Sequence, residues 1–186
     1  MPSPPLRLQS AVHVLQQGGV VACPTEAVWG LSCDPDNPEA VDRLLALKQR
    51  PLHKGLILVA ADTDQVAALL QGLTSAQHGK LALSWPGPTT WLLPHNSLVP
   101  AWIHGGRETV AVRVTAHPVM SALCRSWGGP LVSTSANPTG SQPSRAAFQV
   151  RRYFGTGVDD LLPGAVGGAD RPSVIRDLVS DRIIRT

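Results

Sequence analysis

Residues 37–60 read NPEAVDRLLALKQRPLHKGLILVA, and this segment places a helix, a loop and a buried strand in succession. Asn37 and Pro38 are typical of a helix start, with the asparagine as N-cap and the proline in the first turn. Apolar residues then recur at the spacing of one helical face until Pro51 ends the helix. Residues 55–60 form a short apolar run of the kind found in buried strands. The segment therefore predicts a helix that packs against a sheet.

The rest of the chain repeats this alternation. Helices are predicted over residues 6–17, 64–70, 75–83 and 118–127, and strands over residues 20–23, 89–93, 109–115, 131–132, 173–175 and 183–184. In residues 109–115 the valines alternate with Ala111 and Arg113, so Arg113 should lie on the sheet face opposite to the valines. Strands that alternate with helices predict an α/β fold with a twisted mixed sheet flanked by helices. The length favours a single domain over residues 1–186.

The composition is that of a globular protein, with 43% hydrophobic and 16% charged residues. The longest strongly apolar stretch, residues 56–61, is too short to cross a bilayer, and residues 1–5 lack the features of a signal peptide. We therefore expect a cytoplasmic protein without a membrane partner. The net charge of +3 is modest and the basic residues form no run, which argues against a polybasic arm.

Several common types of site are disfavoured. The three cysteines form no Cys-x-x-Cys pair and the six histidines show no metal-ligand spacing, so we expect neither a metal site nor a disulfide framework. Cys23 adjoins a polar motif, yet a packed cysteine is expected there rather than a nucleophile. The chain has neither of the two common glycine-rich nucleotide-binding loops and no Gly-x-Ser-x-Gly elbow.

Two polar motifs in apolar surroundings have the chemistry of an anion site. Lys48-Gln49-Arg50 offers fixed cations, with Lys54 nearby, and Ser133-Thr134-Ser135-Ala136-Asn137 offers hydroxyls, a carboxamide and backbone N–H groups. The first motif could also be a solvated helix end, and the second a polar turn after a strand. Arg113, in an apolar strand, needs an anionic partner, which could be a ligand or a structural Asp or Glu. Trp29 and Trp85 could line a pocket, although core packing is the expected role.

Six sequence blocks in order resemble the YrdC/TsaC family of threonylcarbamoyl-AMP synthases, in its short single-domain bacterial form. They are PTEAVWGL at 24–31, KQRP at 48–51, WPGPTT at 85–90, VAVRV at 110–114, STSANP at 133–138 and PSVIRD at 172–177. The resemblance covers about residues 6–186. It implies a twisted α/β sheet with a concave, positively charged cavity.

The implied reaction joins L-threonine, bicarbonate or CO₂, and ATP into threonylcarbamoyl-AMP and releases pyrophosphate. A tRNA-modifying threonylcarbamoyl transferase complex would then pass the group to adenosine next to the anticodon in tRNAs that read codons beginning with A. Mg²⁺ is expected with ATP and without dedicated protein ligands.

The resemblance also implies roles for individual residues. Lys48 and Arg50 are the expected catalytic residues. ATP would be bound by Lys48, Arg50, Lys54, Ser135, Asn137 and Arg145, and threonine by Thr25, Arg113, Ser133 and Ser173, with Arg113 pairing its carboxylate. Two departures concern the pocket wall: Trp29 stands where relatives carry Tyr or Phe, and residues 56–60 lack a histidine that longer relatives place there.

Two alternatives remain open at this point. One is an RNA-binding or ribosome-maturation module that uses the same basic cavity for phosphate groups, although the modest charge and the lack of an aromatic stacking run argue against it. The other is a carbamoyl-adenylate chemistry like that of related domains in hydrogenase-maturation proteins. The acylphosphatase and zinc-finger segments that accompany those domains are absent from this sequence.

Overall fold

A computed structural model describes residues 5–185. Its helices are α1 (Pro5–Gln16), α2 (Pro38–Lys48), α3 (Ala67–Leu70), α4 (Ser75–Ala82), α5 (Ala101–His104), α6 (Pro118–Trp127) and α7 (Ala147–Phe154). Its strands are β1 (Val21–Pro24), β2 (Trp29–Ser32), β3 (Ile57–Ala60), β4 (Thr89–Pro94), β5 (Thr109–Val114), β6 (Leu131–Ser135), β7 (Asp160–Leu161), β8 (Val174–Asp177) and β9 (Ile183–Arg185). Short 3₁₀ turns lie at Leu52–Lys54, Asp64–Val66 and Gly155–Gly157.

The strands form one mixed sheet in the order β7-β1-β2-β6-β3-β5-β4-β8-β9. Three neighbouring pairs are parallel (β1 with β7, β3 with β5, β4 with β8), and the other pairs are antiparallel. Strands that are distant in sequence therefore become neighbours: β6 lies between β2 and β3, and β8 joins β4. This order brings the early polar motifs together with the late ones.

Both faces of the sheet are covered over most of their area. On one face, α1 and α6 pack against each other and over Val59 and Leu131. On the other face, Val41 and Leu44 of α2 join a larger core with Leu58. Burial on both faces explains why β3 is apolar at every position instead of alternating.

Most of the predicted elements are confirmed, and α6 has the predicted bounds. The Asn37 side chain caps α2 by accepting hydrogen bonds from the N–H groups of Glu39 and Ala40, at 3.0 and 3.1 Å. Ser133–Ser135 belong to β6 itself, so the interpretation of these residues as a turn after the strand is wrong.

Four elements were not predicted: β2, α5, β7 and α7. Two of them, α5 and β7, are very short. In α7, Ala147, Val150 and Phe154 pack against the larger core at helical spacing, so an apolar stripe was present in the sequence and was missed. The single-domain assignment over 1–186 stays a prediction, and residues 1–4 and 186 lie outside the described residues.

Candidate active site

The face that carries α1 and α6 is open at one end, and a cavity of about 240 Å³ lies there. Alternation along β6 places Leu131, Ser133 and Ser135 on this face. Leu131 is covered by the helices, whereas the two serines line the cavity. Ile57 of β3 pairs with Ser133 and lies on the floor of the cavity.

The charged residues of the cavity come from distant parts of the chain. Among the described residues that line it, these are Arg50, which follows α2, Arg113 of β5, Arg185 of β9, and Glu26 between β1 and β2. Three guanidinium groups face one carboxylate, so the cavity can accept an anionic ligand. The hydroxyl-bearing lining residues are Thr25, Ser133, Thr134, Ser135 and Ser173.

A tight turn between β1 and β2 places Thr25 and Glu26 at the edge of the cavity. Thr25 donates from both its N–H and its Oγ1 to the carbonyl of Val28, at 3.0 and 2.7 Å. Gly30 follows on β2, where an added Cβ would lie 3.2 Å from Ser133 Oγ and 3.3 Å from Thr25 Cγ2. A larger residue at 30 would therefore crowd two hydroxyl-bearing side chains of the site.

Arg113 and Glu26 form a buried pair. The distance from Arg113 Nη2 to Glu26 Oε2 is 3.5 Å, and the two residues are 7% and 8% exposed. The other carboxylate oxygen, Oε1, accepts hydrogen bonds from Thr115 Oγ1 at 2.6 Å and from the N–H of Ala116 at 3.1 Å. Arg113 thus has a structural carboxylate partner, which was one of the two alternatives left open by the sequence.

This ion pair leaves hydrogen-bonding capacity unused. Within the described residues, Arg113 Nε and Glu26 Oε2 have no hydrogen-bond partner. A guanidinium group has five N–H donors in a planar fork, so Arg113 can still bind a carboxylate from a ligand in the cavity.

Ser173 and Arg185, at the β8–β9 edge of the sheet, also line the cavity. The Ser173 hydroxyl is hydrogen-bonded to Thr90 Oγ1 at 2.9 Å, and its carbonyl accepts from Arg185 Nη2 at 3.0 Å. Burial and the nearby charge of Arg113 lower the pKa of Arg185 from its ordinary value. Arg185 and Glu26 are site residues that were not predicted from the sequence, although Glu26 stands inside the PTEAVWGL block at 24–31.

Lys48 connects the two polar motifs. It is 3% exposed, and its Nζ donates to the carbonyls of Ser135 and Asn137, the latter at 2.8 Å. In return, the Lys48 carbonyl accepts from the N–H and the hydroxyl of Thr139, at 2.8 and 3.0 Å. Burial, and then the charge of Arg50, lowers the pKa of Lys48 to about 8. The interpretation of Lys48 as a solvated surface charge is therefore wrong.

Arg50 points into the cavity from the end of α2. Gln49 ends the helix in the left-handed conformation, with φ of 51°, and the chain then turns. Arg50 Nη2 donates to the carbonyl of Gly55 at 2.8 Å, which fixes its guanidinium group. Burial, and then the charges of Arg185 and Arg107, lowers the pKa of Arg50.

Four of the ten predicted site residues do not line this cavity: Lys48, Lys54, Asn137 and Arg145. Asn137 Nδ2 donates to the carbonyls of Pro138 and Ser141, at 2.9 and 2.8 Å, so it shapes the loop after β6. Lys54 and Arg145 are exposed, and Lys54 lies in a 3₁₀ turn instead of an open loop. The other six are brought together, namely Thr25, Arg50, Arg113, Ser133, Ser135 and Ser173.

The remaining candidate residues have structural roles. Trp29 is 1% exposed and packs in the larger core while it borders the cavity, and Trp85 packs elsewhere with Nε1 donating to the carbonyl of Thr89. Burial raises the pKa of the Cys23 thiol to about 12, which makes it a poor nucleophile. Over residues 5–185, no group of three or more His, Cys, Asp or Glu side chains could hold a metal ion. No helix in this range has the length and apolar character that a membrane crossing needs.

Comparison with known proteins identifies relatives along nearly the whole chain. A family model for Sua5, YciO and YrdC proteins, described as telomere recombination, matches residues 13–186. The threonylcarbamoyl-AMP synthase of Halorhodospira halophila is 56% identical over 181 residues, which cover 97% of this chain and 95% of that protein.

Solved structures share the fold. Sua5 of P. abyssi in complex with L-threonine superposes with a TM-score of 0.86 at 30% identity, over 91% of this chain and 50% of that one. This chain therefore spans about half the length of that protein. E. coli YciO superposes with a TM-score of 0.86 at 24% identity, over 99% of this chain and 91% of that one. These likenesses confirm the predicted fold class, a twisted mixed sheet flanked by helices.

Proposed function

The chain belongs to the Sua5–YciO–YrdC family, and we propose that its open cavity is where it makes threonylcarbamoyl-AMP from L-threonine, bicarbonate or CO₂, and ATP. Relatives at 50% identity and above are named for this activity. The protein is accordingly an enzyme, a transferase that attaches AMP to a carbamate and releases pyrophosphate. The assignment of the cavity rests on the buried Arg113, which has free N–H donors beside two serine hydroxyls, Ser133 and Ser173.

The reaction mainly requires that anions be brought together. The amine of threonine adds to CO₂ to give a carbamate, and a carbamate oxygen attacks the α-phosphorus of ATP. Both partners are negatively charged, so the enzyme must position them and neutralise their repulsion. Three guanidinium groups around one cavity supply that charge, and their attachment to backbone carbonyls and to Glu26 keeps them oriented.

L-threonine fits the part of the cavity next to Arg113. Its carboxylate would pair with the guanidinium fork, and its hydroxyl could bond to Ser133, Ser173 or Thr25. A charged group brought into a buried place needs such partners. P. abyssi Sua5 has been solved in complex with L-threonine, which supports this substrate for the family.

ATP would lie along the end of β6, with Arg50 next to its phosphates. Ser135 lines the cavity there, while Lys48 and Asn137 hold the loop that follows. We therefore assign Lys48 to positioning this loop, and its cationic head adds positive potential behind the backbone. Lys54 and Arg145 lie outside this cavity and would contact only the outer phosphates or the ribose.

The lining residues do not form a magnesium site. The carboxylate of the cavity, Glu26, already accepts bonds from Thr115 and Ala116 and pairs with Arg113. Any Mg²⁺ that enters with ATP would be held by phosphate oxygens and water, as this ion commonly is. A transferase complex that accepts the threonylcarbamoyl group for tRNA is the proposed partner.

The direct test is pyrophosphate release by the purified protein, with L-threonine or bicarbonate left out in turn. We expect release that requires both. Arg50→Ala should lower the rate about ten- to a hundredfold, because a charge-assisted phosphate contact is lost. Release that is indifferent to threonine, or salt-sensitive RNA binding without ATP turnover, would contradict the proposal and favour the alternatives.

A further inference from the structure

The ion pair of Glu26 and Arg113 is looser than a structural role requires. Both residues are buried and both line the cavity. The 3.5 Å between Glu26 Oε2 and Arg113 Nη2 exceeds the roughly 2.7–2.9 Å of a charge-assisted hydrogen bond. Within the described residues, Oε2 itself has no hydrogen-bond partner. A buried carboxylate oxygen without a donor costs free energy, so a ligand that supplies a donor would be stabilised there.

The rest of Glu26 is held firmly in place. Its Oε1 accepts from Thr115 Oγ1 at 2.6 Å and from the N–H of Ala116 at 3.1 Å. Its backbone carbonyl accepts from the N–H of Ala169 at 3.1 Å, and a Cβ added at Gly167 would lie 2.7 Å from that carbonyl oxygen. One carboxylate oxygen is therefore anchored by the protein, and the other is left for a ligand.

The pair matches the head group of an α-amino acid. Such a molecule carries an ammonium and a carboxylate on one carbon, with the nitrogen about 2.5 Å from the carboxylate carbon. Its carboxylate can contact Arg113 while its ammonium group contacts Glu26 Oε2, because the two side chains lie 3.5 Å apart. A ligand that is only an anion would be attracted by Arg113 and repelled by Glu26. The pair thus favours a zwitterion.

We propose that Glu26 is a catalytic residue of the carbamate step: its Oε2 binds the amino group of L-threonine and accepts a proton from the nitrogen. The inference rests on the proposed function. The other polar side chains among the described lining residues are hydroxyl groups, guanidinium groups and the indole of Trp29. Of these groups, the carboxylate is the one that readily accepts a proton at neutral pH.

The proton balance of the step requires such an acceptor. An ammonium group has no lone pair, so threonine first releases one proton to solvent and becomes a free amine. The nitrogen lone pair then forms the N–C bond to CO₂, and one C=O π pair moves onto oxygen. The nitrogen of this adduct is positively charged and holds two protons. Glu26 accepts one of them, the electron pair of that N–H bond returns to nitrogen, and water at the cavity mouth later takes the proton from Glu26.

The test compares two ligands by calorimetric titration into the wild-type protein and Glu26→Gln. L-threonine has the amine, whereas (R)-3-hydroxybutyrate keeps the carboxylate, the hydroxyl and the methyl group without it. Glutamine still offers an oxygen to Thr115 and Ala116, so the turn should fold. We expect the Kd of L-threonine to rise about ten- to a hundredfold, because a charge-assisted contact is lost. The Kd of 3-hydroxybutyrate should stay the same or fall, because a repulsive charge is removed.

Glu39→Gln is the matched control, because Glu39 is an exposed glutamate of α2 that does not line the cavity. AMP should bind to every variant within about twofold of wild type, which shows that the cavity is intact. If Glu26→Gln does not fold, Thr115→Val takes its place. It keeps the carboxylate and removes one bond that fixes it, so the loss should again be confined to L-threonine, at about two- to fivefold.

Equal weakening of both ligands would overturn the inference, because Glu26 would then act only by orienting Arg113. Unchanged L-threonine binding in Glu26→Gln, or the same loss in Glu39→Gln, would overturn it as well. The titration needs no turnover. The expected binding pattern in a protein that makes no threonylcarbamoyl-AMP would support the amino-acid contact and contradict the proposed function alone.

The proton transfer has its own measurement, the turnover of Glu26→Gln at rising bicarbonate with pH and ionic strength held constant. Carbamate that forms in solution needs no proton acceptor on the protein. The deficit relative to wild type, at saturating L-threonine, should therefore shrink as bicarbonate rises. A deficit that is the same at every bicarbonate concentration would overturn the role of Glu26 as proton acceptor.

Discussion

One face of the sheet is divided into a closed half and an open half. In the closed half, Val59 and Leu131 lie beneath α1 and α6. In the open half, Ile57, Ser133 and Arg113 line the cavity. Leu131 and Ser133 are two positions apart on β6 and point to the same face of the sheet. The change from buried core to cavity lining therefore takes place over two residues of this strand.

This difference shows that coverage by helices determines whether a position on the sheet belongs to the core or to the site. Strand geometry and hydrogen bonding continue unchanged from one half to the other, because β6 pairs with β3 across the boundary. Under the helices, side chains such as Val59 and Leu131 stabilise the fold through apolar burial. At the boundary, Arg113 lies opposite Val59 on β3 and can be buried because Glu26 and a potential ligand satisfy it.

The contrast between the closed half and the open half can be tested by truncating one side chain in each. Leu131→Ala should lower the free energy of unfolding by about 2–5 kcal/mol, because it leaves a cavity under the helices. Ser133→Ala should change it by less than about 1 kcal/mol and should raise the KM for threonine. Urea denaturation and steady-state kinetics on both variants check this. Comparable losses of stability would mean that the two halves are not distinct.

A substitution at Arg113 tests whether its positive charge in the open half is needed for threonine. Arg113→Gln should lower kcat/KM for threonine about a hundredfold and leave the KM for ATP nearly unchanged, because the expected carboxylate contact is lost. Arg125→Gln is the control, since Arg125 pairs with Asp62 on the surface at 3.8 Å and lines no part of the cavity. If kcat/KM falls equally for threonine and for ATP, Arg113 does not bind threonine specifically.

A smaller effect, on the free energy of unfolding, is expected when Lys48 loses its proton. The pKa of Lys48 is about 8 in the folded protein, below the ordinary 10.5, because the side chain is buried. The unfolded chain therefore binds this proton more tightly, and the cost of burying the charge is present in full below pH 8. As the pH rises from 8 toward 10.5 this cost disappears, so the stability should increase by roughly 1–3 kcal/mol from this group.

The check is urea denaturation at several pH values between 7 and 10, with Lys48→Gln as the variant that cannot titrate. The difference in free energy of unfolding, wild type minus variant, should grow with pH across this window. A difference that is flat, or that falls, would mean that the ammonium group is stabilised in the folded state by its two carbonyl partners.

Local chemistry made part of this structure predictable. The cap at Asn37, the proline in the first turn and the apolar spacing specify α2 within a few residues, and Pro118 with Gly128 does the same for α6. The alternation of β5 placed Arg113 on its face. These features depend on neighbours in sequence, which a reader of the sequence can see.

Other parts depend on contacts between distant segments. No local pattern in β2 tells that it joins β6, and none in β9 tells that Arg185 enters the cavity. The burial of Lys48 was missed for the same reason, because its carbonyl partners, Ser135 and Asn137, lie at the end of β6 and just after it. Glu26 could have been found, since an arginine in an apolar strand calls for a carboxylate and the PTEAVWGL block at 24–31 contains one.

The position of β9 has a consequence for how the enzyme is completed during synthesis. β9 follows the other eight strands of the described residues in chain order, and it carries Arg185 to the rim of the cavity. The strands and helices of the closed half leave the ribosome earlier and can pack first. A nascent chain arrested before residue 183 would thus hold a finished core and an unfinished catalytic pocket, so substrate capture begins only once the ninth strand has docked.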